Sequence, residues 1–448
     1  MGRSDTSRTA YFDASGRWYT LDNAASIMPA TSNSLETHLF RMSATFDADL
    51  DYSVLREALD AVVARFPYFA VELRRGFFWP YLVPLSGPVP IAVDRPEAPL
   101  IGYDVNRPGR CLTRVLVGKR GVACEFHHAV TDATGALRFL KNLIVEYLRR
   151  RGLAPGPDPA FADLAAGDPD IYDLSGRPKP GENEDSYDRF FQGDLPAPDI
   201  QPRAFAWRPR SMPDRRYRLT CGFVPLGEAL EKAHEYEVSL TELLTAVYMD
   251  VLQDIWLAAP PRARRRQRPL IAVDIPVNLR RLFPSDTNRN FILGVQVTQD
   301  MRLGRREFAD IVKRAHLELR WETDARNFGR QLSRNVGATR SLWFRAIPLP
   351  VKTFLYRLMF SFFGSSTYTG SISNIGAVNL PAWAAAHVVR FDFGSSPYRD
   401  KVNASVLSWK DSLYISFGSL DVSREIERLF FTRLRKLGLQ VRVECNLP

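Results

Sequence analysis

The sequence predicts an α/β protein built from two lobes. Segments with strand and helix periodicity alternate along both halves of the chain, and 45% of its 448 residues are apolar and 12% aromatic, which suffices for sizeable cores. Residues 152–213 are dense in Pro, Gly and Asp, as linkers between folded units are. We therefore expect an N-terminal lobe at 1–151, a crossover linker at 152–213 and a C-terminal lobe at 214–448.

The N-terminal lobe contains the first predicted helix, at residues 51–66. Its apolar side chains recur with the spacing of one helical face: Leu55, Leu59, Val62 and Val63. Apolar runs bounded by turn residues predict strands at 69–73, 111–117 and 122–126. A second amphipathic pattern predicts a helix at 134–150.

The C-terminal lobe repeats this alternation. Helical periodicity predicts helices at 239–256, 307–322 and 425–437. Apolar or alternating runs predict strands at 270–277, 291–297, 369–374, 387–393, 402–409, 413–417 and 440–445. The most apolar stretch, 351–363, is interrupted by Lys352 and Arg357, and it is either a buried helix or the lining of an apolar channel.

The charge balance is basic. Sixty Lys and Arg residues against fifty Asp and Glu residues give a net charge of +10, which attracts anions such as nucleic acids, anionic lipids or phosphate-bearing small molecules. The densest arginine run, within residues 262–268, is interpreted as a solvated loop. Because no aromatic residues interleave with it and no nucleic-acid motif is present, we expect no nucleic-acid partner.

The cysteines and the apolar runs indicate a cytoplasmic protein. None of the four cysteines forms a CxxC pair, which excludes zinc-knuckle and thioredoxin-like motifs, and this usage fits a reducing compartment. Residues 1–16 are too polar for a secretory signal. No uninterrupted apolar run approaches the ~20 residues that a membrane span needs.

The strongest chemical signal lies in residues 126–135, which read FHHAVTDATG. Two of only six histidines, His127 and His128, end an apolar strand just before a helix, a common position for α/β active sites. Strand parity separates the two rings, so only one of them faces a given cleft. A neutral imidazole can act as a general base, and Asp132 is placed to hold the loop in shape.

Two other interpretations of the histidine pair were weighed. Both rings can be satisfied core side chains. A metal site needs further ligands, but Cys124 is four strand residues from His128, roughly 13 Å away, so we expect no metal.

Motifs along nearly the whole chain show a resemblance to one superfamily. The HHxxxD stretch is followed by DIPVNLR at 274–280, by Asn290, by SNIG at 373–376 and by FDFG at 391–394. In this order they resemble the CoA-dependent acyltransferase superfamily. It includes chloramphenicol acetyltransferase, alcohol acetyltransferases and nonribosomal peptide condensation domains. Two departures are Ala133, where the family commonly has Gly after the motif Asp, and the absence of the plant-type DFGWG sequence.

The resemblance implies a fold and a set of residue roles. Two chloramphenicol-acetyltransferase-like lobes would enclose a central tunnel. His128 would be the general base, with His127 structural and Asp132 orienting the loop. Arg280 would pair with Asp132, its alternative being a surface arginine at a strand end. Ser373 or Asn374 would contact the oxyanion or the thioester, although both can be ordinary polar residues at a strand end.

The function implied is acyl transfer from acyl-CoA to an alcohol or amine in a ternary complex. Acyl-CoA would be a cosubstrate, no cofactor would be permanently bound, and the acceptor would be a small molecule or lipid-like. One alternative keeps the chemistry but takes the acyl group from an acyl carrier protein. The other is a non-catalytic binding module with the same fold.

Overall fold

A computed structural model describes residues 18–447 except 34, 35, 158, 194, 197, 213, 215 and 396–400, with only the backbone at 363 and 365. The described chain is a mixed α/β fold with three sheets. A five-stranded and a seven-stranded sheet each carry a large apolar core, and these two units form the two lobes. The predicted fold class is confirmed.

The strands in the first part of the chain are β1 (Tyr19–Thr20), β2 (Leu39–Phe46), β3 (Val71–Arg75), β4 (Pro80–Pro84), β5 (Ile91–Val93), β6 (Thr113–Val117) and β7 (Gly121–His127). The later strands are β8 (Arg218–Pro225), β9 (Leu270–Asn278), β10 (Ile292–Asp300), β11 (Gly370–Ala377), β12 (Val388–Gly394), β13 (Asn403–Trp409), β14 (Ser412–Ser419) and β15 (Arg442–Cys445).

The helices up to the middle of the chain are α1 (Met28–Thr31), α2 (Tyr52–Arg65), α3 (Ala133–Arg150), α4 (Phe161–Ala165), α5 (Ser186–Arg189), α6 (Leu226–Glu235) and α7 (Leu240–Ala258). The remaining helices are α8 (Pro261–Arg264), α9 (Phe308–Glu322), α10 (Ala325–Arg340), α11 (Leu342–Ala346), α12 (Leu349–Met359), α13 (Ala382–Ala385) and α14 (Glu425–Lys436). Among the described helices, none combines the length and apolar character that crossing a bilayer requires.

The five-stranded sheet has the order β12-β2-β7-β6-β5. Its edge strand β12 comes from far along the chain and pairs antiparallel with β2. Phe391 of β12 packs against Trp409 of β13 with ring centroids 4.8 Å apart. One strand of the C-terminal region therefore completes the N-terminal sheet and also touches the other sheet.

The seven-stranded sheet has the order β10-β9-β11-β13-β14-β8-β15. Parallel pairing between β9 and β11 covers only Gly370 with Val273 and Ser371 with Asp274, although both strands continue further. The two strands therefore diverge beyond Ser371. Asn278, the last residue of β9, donates to Thr134 Oγ1 at 3.1 Å, so this end of the sheet lies against the start of α3.

The stretch 152–213, predicted as a linker, is anchored by a buried ion pair. The two terminal nitrogens of the Arg65 guanidinium in α2, Nη1 and Nη2, donate to the Glu182 carboxylate, each at 2.6 Å. The Glu182 carbonyl also accepts from the Asn288 backbone N–H at 2.7 Å. The polypeptide between 152 and 213 thus contacts both the first lobe and the loop that precedes β10.

The stretch 351–363 is neither of the two structures expected for it. It forms most of α12 and a following π-helical turn, and Val351, Phe354 and Leu358 face solvent while Lys352 is buried. The Lys352 Nζ donates to the carbonyls of Phe78 and Arg345, each at 3.1 Å. Because these acceptors lie inside, the charged residue turns inward and the apolar ones turn outward.

Candidate active site

The histidine loop connects β7 to α3. Strand β7 ends at His127, and Asp132 caps α3, which begins at Ala133. From Val122 to Asp132 every residue is buried except His128, which is partly exposed. The chain therefore presents a single side chain of this run to its surroundings.

His127 is fixed inside the loop. Its Nδ1 accepts the Ala129 backbone N–H at 3.1 Å, so the ring proton is on Nε2, which lies 3.1 Å from Ser32 Oγ. The Ser32 hydroxyl in turn donates to the Thr37 carbonyl at 3.2 Å. Burial, together with the nearby His38 and His128 rings, lowers the pKa of His127 well below its usual range. His127 is therefore a neutral ring with both nitrogens hydrogen-bonded, and these bonds fix the conformation of the turn.

His128 is oriented by Asn290. The Asn290 amide nitrogen donates to Asp22 Oδ2 at 2.9 Å and to the His128 carbonyl at 2.7 Å. Its Oδ1 therefore faces His128 Nδ1, 3.4 Å away, and accepts from it. Nδ1 carries the ring proton, so Nε2 keeps a free lone pair. Burial lowers the pKa of His128, while the bond to Asn290 and the Asp132 charge oppose this.

Asp132 uses all its acceptor capacity on the protein. Oδ1 accepts the N–H groups of Thr134 and Gly135, each at 3.1 Å. Oδ2 accepts from Arg280 Nη1 at 2.8 Å and from the Phe291 N–H at 2.9 Å. The carboxylate thus joins the start of α3 to the two segments that flank the loop 279–291.

Arg280 forms an ion pair with Asp132, and its side chain is buried. Its other nitrogens donate to the carbonyls of Thr287 at 3.0 Å and Arg289 at 2.6 Å. These bonds close the loop that ends at Asn290. Arg280 therefore fixes the loop that carries Asn290, and Asn290 contacts His128.

Gly135 lies where α3 approaches the loop before β10 too closely for any side chain. A Cβ on Gly135 would lie 2.1 Å from the Asn288 carbonyl oxygen and 2.3 Å from Thr131 Oγ1. The Thr131 hydroxyl donates to that same Asn288 carbonyl at 2.6 Å. The close approach between α3 and the loop before β10 therefore needs glycine at 135.

His38 is a third histidine at the site, and the sequence did not point to it. Its carbonyl accepts the His128 backbone N–H at 2.9 Å, and its ring lies 6.1 Å from that of His127 and 5.9 Å from that of Phe360. Burial and the nearby His128 lower the pKa of His38 to about 3. Asp22, which holds Asn290, was also missed because no motif surrounds it.

Ser373 and Asn374 lie on β11, just past the point where β11 leaves β9. The Asn374 side chain is used locally, donating to Thr241 Oγ1 at 3.0 Å and accepting from the Gly376 N–H at 2.9 Å. The Ser373 hydroxyl makes no hydrogen bond within the part of the chain that the structure describes, and neither residue bonds to His128 there. Ser373 shares the face of Ser371, opposite the buried Ile372.

A strongly basic cleft of about 980 Å³ adjoins this region. Its lining includes one acidic residue, Glu36, and six basic ones: Arg203, Arg208, Arg262, Arg266, Arg268 and Lys401. Ser361 and Phe362 also line it, and the preceding residue, Phe360, contacts the His38 ring. The arginine run predicted as a solvated loop therefore forms one wall of an anion-attracting cleft.

Among the described residues, no group of three or more His, Cys, Asp or Glu side chains is arranged to hold a metal ion.

Comparisons with known proteins identify the fold. No family model matches the sequence, and no curated protein does. Solved structures match over nearly the whole chain. F. sporotrichioides TRI101, complexed with coenzyme A and T-2, is 11% identical with a TM-score of 0.58, and the match covers 95% of this chain and 99% of that one.

Two further matches extend the range of relatives. Polyketide synthase associated protein 5 from Mycobacterium tuberculosis is 12% identical, with a TM-score of 0.55 and coverage of 95% and 98%. The first condensation domain of the calcium-dependent antibiotic synthetase is 16% identical, with a TM-score of 0.55 and coverage of 95% and 96%. The chain therefore has the two-lobed fold of condensation domains and CoA-dependent acyltransferases. At these identities the likeness establishes the fold alone.

Proposed function

We propose that the protein transfers an acyl group from acyl-CoA to a hydroxyl or amine acceptor, with His128 as the general base. The observation that carries the proposal is the His128 ring itself. His128 is the one partly exposed residue of a buried run, and Asn290 faces its Nδ1, which leaves the lone pair on Nε2. A neutral imidazole in this state accepts a proton from an incoming nucleophile.

The reaction is a direct transfer. The acceptor oxygen or nitrogen attacks the thioester carbonyl carbon as its proton moves to His128 Nε2, which gives a tetrahedral oxyanion. The oxyanion collapses, the C–S bond breaks, and the imidazolium returns the proton to the departing sulfur. No covalent acyl-enzyme is needed, in keeping with the absence of a cysteine or serine nucleophile from the loop 127–132.

The oxyanion requires a donor, and Ser373 is the better of the two candidates. Its hydroxyl is uncommitted, whereas the amide of Asn374 already donates to Thr241. Ser373 also lies at the divergence of β9 and β11, through which we propose that the thioester reaches His128. A hydroxyl aimed at the developing negative charge stabilises the transition state more than the ground state.

The basic cleft supports a donor that carries phosphates. CoA bears a diphosphate and a 3′-phosphate, and six basic side chains against one acidic side chain line the cleft. Such a charge balance attracts a polyanion. A carrier-protein donor remains the second candidate because this fold is shared with a condensation domain. An acidic carrier would meet the same basic surface.

The test measures thiol release by the purified protein from acetyl-CoA and longer acyl-CoAs, with a panel of alcohols and amines. Acceptor-dependent release is expected in the wild type. In His128→Ala it should fall by about 10²–10⁴-fold, the usual contribution of a general base. His234→Ala is the matched control, because His234 is an exposed histidine on α6.

Each result bears on one part of the proposal. Equal rates in wild type and His128→Ala would remove His128 from the chemistry. Thiol release from acyl-carrier protein but not from any acyl-CoA would support His128 as the base and would change the proposed donor to a carrier protein. No turnover with either donor, in a protein with a cooperative melting transition, would favour a binding module.

A further inference from the structure

Helix α12 (Leu349–Met359) is a surface helix that exposes an apolar stripe to solvent and buries a lysine. Val351, Phe354 and Leu358 follow one helical face and are exposed, whereas Lys352 and Tyr356 are buried on the other face. A surface helix normally turns its apolar stripe towards the core. Here the stripe packs against no other part of the described chain, so it is available to bind another molecule.

The orientation of α12 is fixed by Lys352. Its Nζ donates to the carbonyls of Phe78 and Arg345 and lies 3.5 Å from the centre of the Trp79 ring. This combination of two acceptors and a cation–π contact satisfies the buried ammonium. Rotating the helix to bury Phe354 would expose Trp79 and break these contacts.

The exposed stripe belongs to a larger surface, here named the apolar face. The backbone N–H of Leu349 donates to the Phe77 carbonyl at 2.8 Å, which brings the β3–β4 turn beside α12, and α11 precedes α12 directly. The exposed members of the apolar face are Phe77, Phe78, Leu342, Trp343, Val351, Phe354, Leu358, Met359 and Phe362. Trp343 is 69% exposed and Phe354 65%. Contiguous apolar surface of this kind marks an interaction site.

The segment that supplies most of the apolar face carries charge of one sign. Residues 325–391 contain no Asp or Glu, yet they contain eight basic residues: Arg326, Arg330, Arg334, Arg340, Arg345, Lys352, Arg357 and Arg390. Arg345 and Arg357 are exposed on α11 and α12 themselves. Asp188, which pairs with Arg340, and Glu36, which lines the cleft beside Phe362, are carboxylates from other segments at the border of the apolar face. An apolar surface on a segment with a cationic excess complements a layer whose surface is anionic and whose interior is hydrocarbon.

We infer that the apolar face binds the surface of an anionic lipid bilayer. Aromatic side chains such as Trp343 and Phe354 enter the boundary between headgroups and acyl chains, and arginines at that depth pair with lipid phosphates. The inference goes beyond acyl transfer and does not depend on it. It also places Phe362, which lines the basic cleft, at the membrane side of the molecule.

A second copy of the chain fits the apolar face less well. In a symmetric dimer the same patch meets itself, which would bring Arg345 and Arg357 towards their own copies without any carboxylate from residues 325–391. Like charges brought together in this way oppose association. A bilayer with acidic headgroups supplies the missing negative charge.

The experiment is flotation of the full-length protein with two kinds of vesicle: phosphatidylcholine alone, and phosphatidylcholine mixed with phosphatidylglycerol in equal parts. The protein is expected to float with the mixed vesicles and to be released by high salt. Phe354→Ser should weaken this partitioning by about tenfold, the usual effect of withholding a large apolar side chain. Arg345→Gln should weaken it by about fivefold, as expected for one cation near an anionic surface.

The matched control is Trp321→Ser compared with Trp343→Ser. Trp321 is 74% exposed on α9, outside the apolar face, so its loss should leave flotation unchanged whereas loss of Trp343 should reduce it. Thermal melting of each variant verifies folding, and the lipid and salt dependence of the wild type provides a test without any substitution.

Three results would overturn the inference. One is no flotation of the wild type with the mixed vesicles. Another is equal loss in Trp321→Ser and Trp343→Ser. The third is a wild-type dimer in solution that Phe354→Ser dissociates, since the apolar face would then be covered by a second copy.

Discussion

The ring proton of His128 sits on Nδ1 because Asn290 Oδ1 faces that nitrogen. The bond to Asn290, the Asp132 charge and the Thr131 backbone each raise the pKa of the ring. Burial acts more strongly in the opposite direction and lowers the pKa below 6.5. The consequence is a base that is already neutral, and has its lone pair on Nε2, at physiological pH.

The pH dependence of kcat/KM should reflect this lowered pKa. The neutral ring is the active form, so activity falls only when the pH drops through the pKa of His128. We expect the midpoint of the acidic decline to lie below pH 6.5, the ordinary histidine value. A decline centred above pH 6.5 would contradict the environment described for the ring.

The variant Asn290→Ala provides the accompanying control. The bond from Asn290 raises the pKa of His128, so its removal should shift the acidic decline to still lower pH while the rate also falls, because the ring loses its orientation. A variant that only loosened the loop would lower the rate without moving the decline.

The sequence motifs identified some residues of the site and missed others. His127, His128, Asp132 and Arg280 are brought together by one loop and one ion pair, and each stands within a recognisable local pattern. His38 and Asp22 are part of the same site but come from segments without such a pattern. His38 acts through a backbone carbonyl and a buried ring, and these contacts depend on the positions of β2 and β7, which spacing along the chain does not specify.

At the scale of the element, caps mark the starts of two predicted helices, but apolar periodicity decided which helices were found: α9 and α14 were predicted without a side-chain cap, and α10 was missed although Asp324 caps it. Asp51 accepts from the N–H groups of Ser53 and Val54 at the start of α2. Ser239 and Glu242 form a reciprocal capping box at the start of α7. These capping contacts join residues two or three apart, so the sequence shows them directly.

One of the two longer missed strands carried a local signal and the other did not. Strand β2 alternates apolar and polar residues from Phe40 to Phe46, and its last five positions alternate in burial, so its period of two was present in the sequence and was overlooked. Strand β8 contains Gly222, where a Cβ would lie 2.1 Å from a ring carbon of Phe431. Glycine ordinarily indicates a break in a strand, whereas here it makes room for a side chain from α14.

Gly135→Ala tests the close contact at the start of α3. Alanine in a helix usually stabilises a protein by roughly 0.5–1 kcal/mol relative to glycine. At 135 the added Cβ would meet the Asn288 carbonyl and Thr131 Oγ1, so we expect destabilisation of about 1–3 kcal/mol instead. Urea unfolding of the wild type and of Gly135→Ala measures the difference in their free energies of unfolding.

Gly337→Ala, inside α10, is the matched control. Its Cβ would make only an ordinary contact, 3.8 Å from Phe191, so this variant should be as stable as the wild type or more so. If the two substitutions had the same effect, the Asn288 contact would not restrict position 135.

At the scale of the whole molecule, β12 links the two lobes. The strand was predicted as an element, but its partner was not, because pairing with β2 joins residues more than 300 positions apart. The same limit applies to the Arg65–Glu182 pair. Periodicity predicts which segments form strands, whereas strand order depends on contacts between distant segments.

Separate expression of the two parts tests this link. Residues 1–151 alone lack β12, so the edge of β2 is left open, and exposed edges promote aggregation. We expect the fragment 1–151 to aggregate alone and to become soluble when co-expressed with 152–448. The soluble fraction and size-exclusion chromatography give the readout.

The control for that experiment is Phe391→Asp in the longer fragment. Phe391 is buried in the first lobe's core, so a carboxylate there would prevent β12 from docking, and rescue should be lost. A monomeric 1–151 fragment with its own cooperative melting transition would show that the sheet does not need its distant strand.

The position of β12 also sets the order of events during synthesis. The strand that closes the sheet begun at Leu39 is not made until Val388, and translation at about 5–20 residues per second separates the two by roughly 20–70 s. During that interval the nascent chain holds an incomplete sheet beside the ribosome. Its folding in the cell is therefore largely post-translational, and a chaperone that shields the waiting β2 edge should raise the yield more than one that acts on the finished chain.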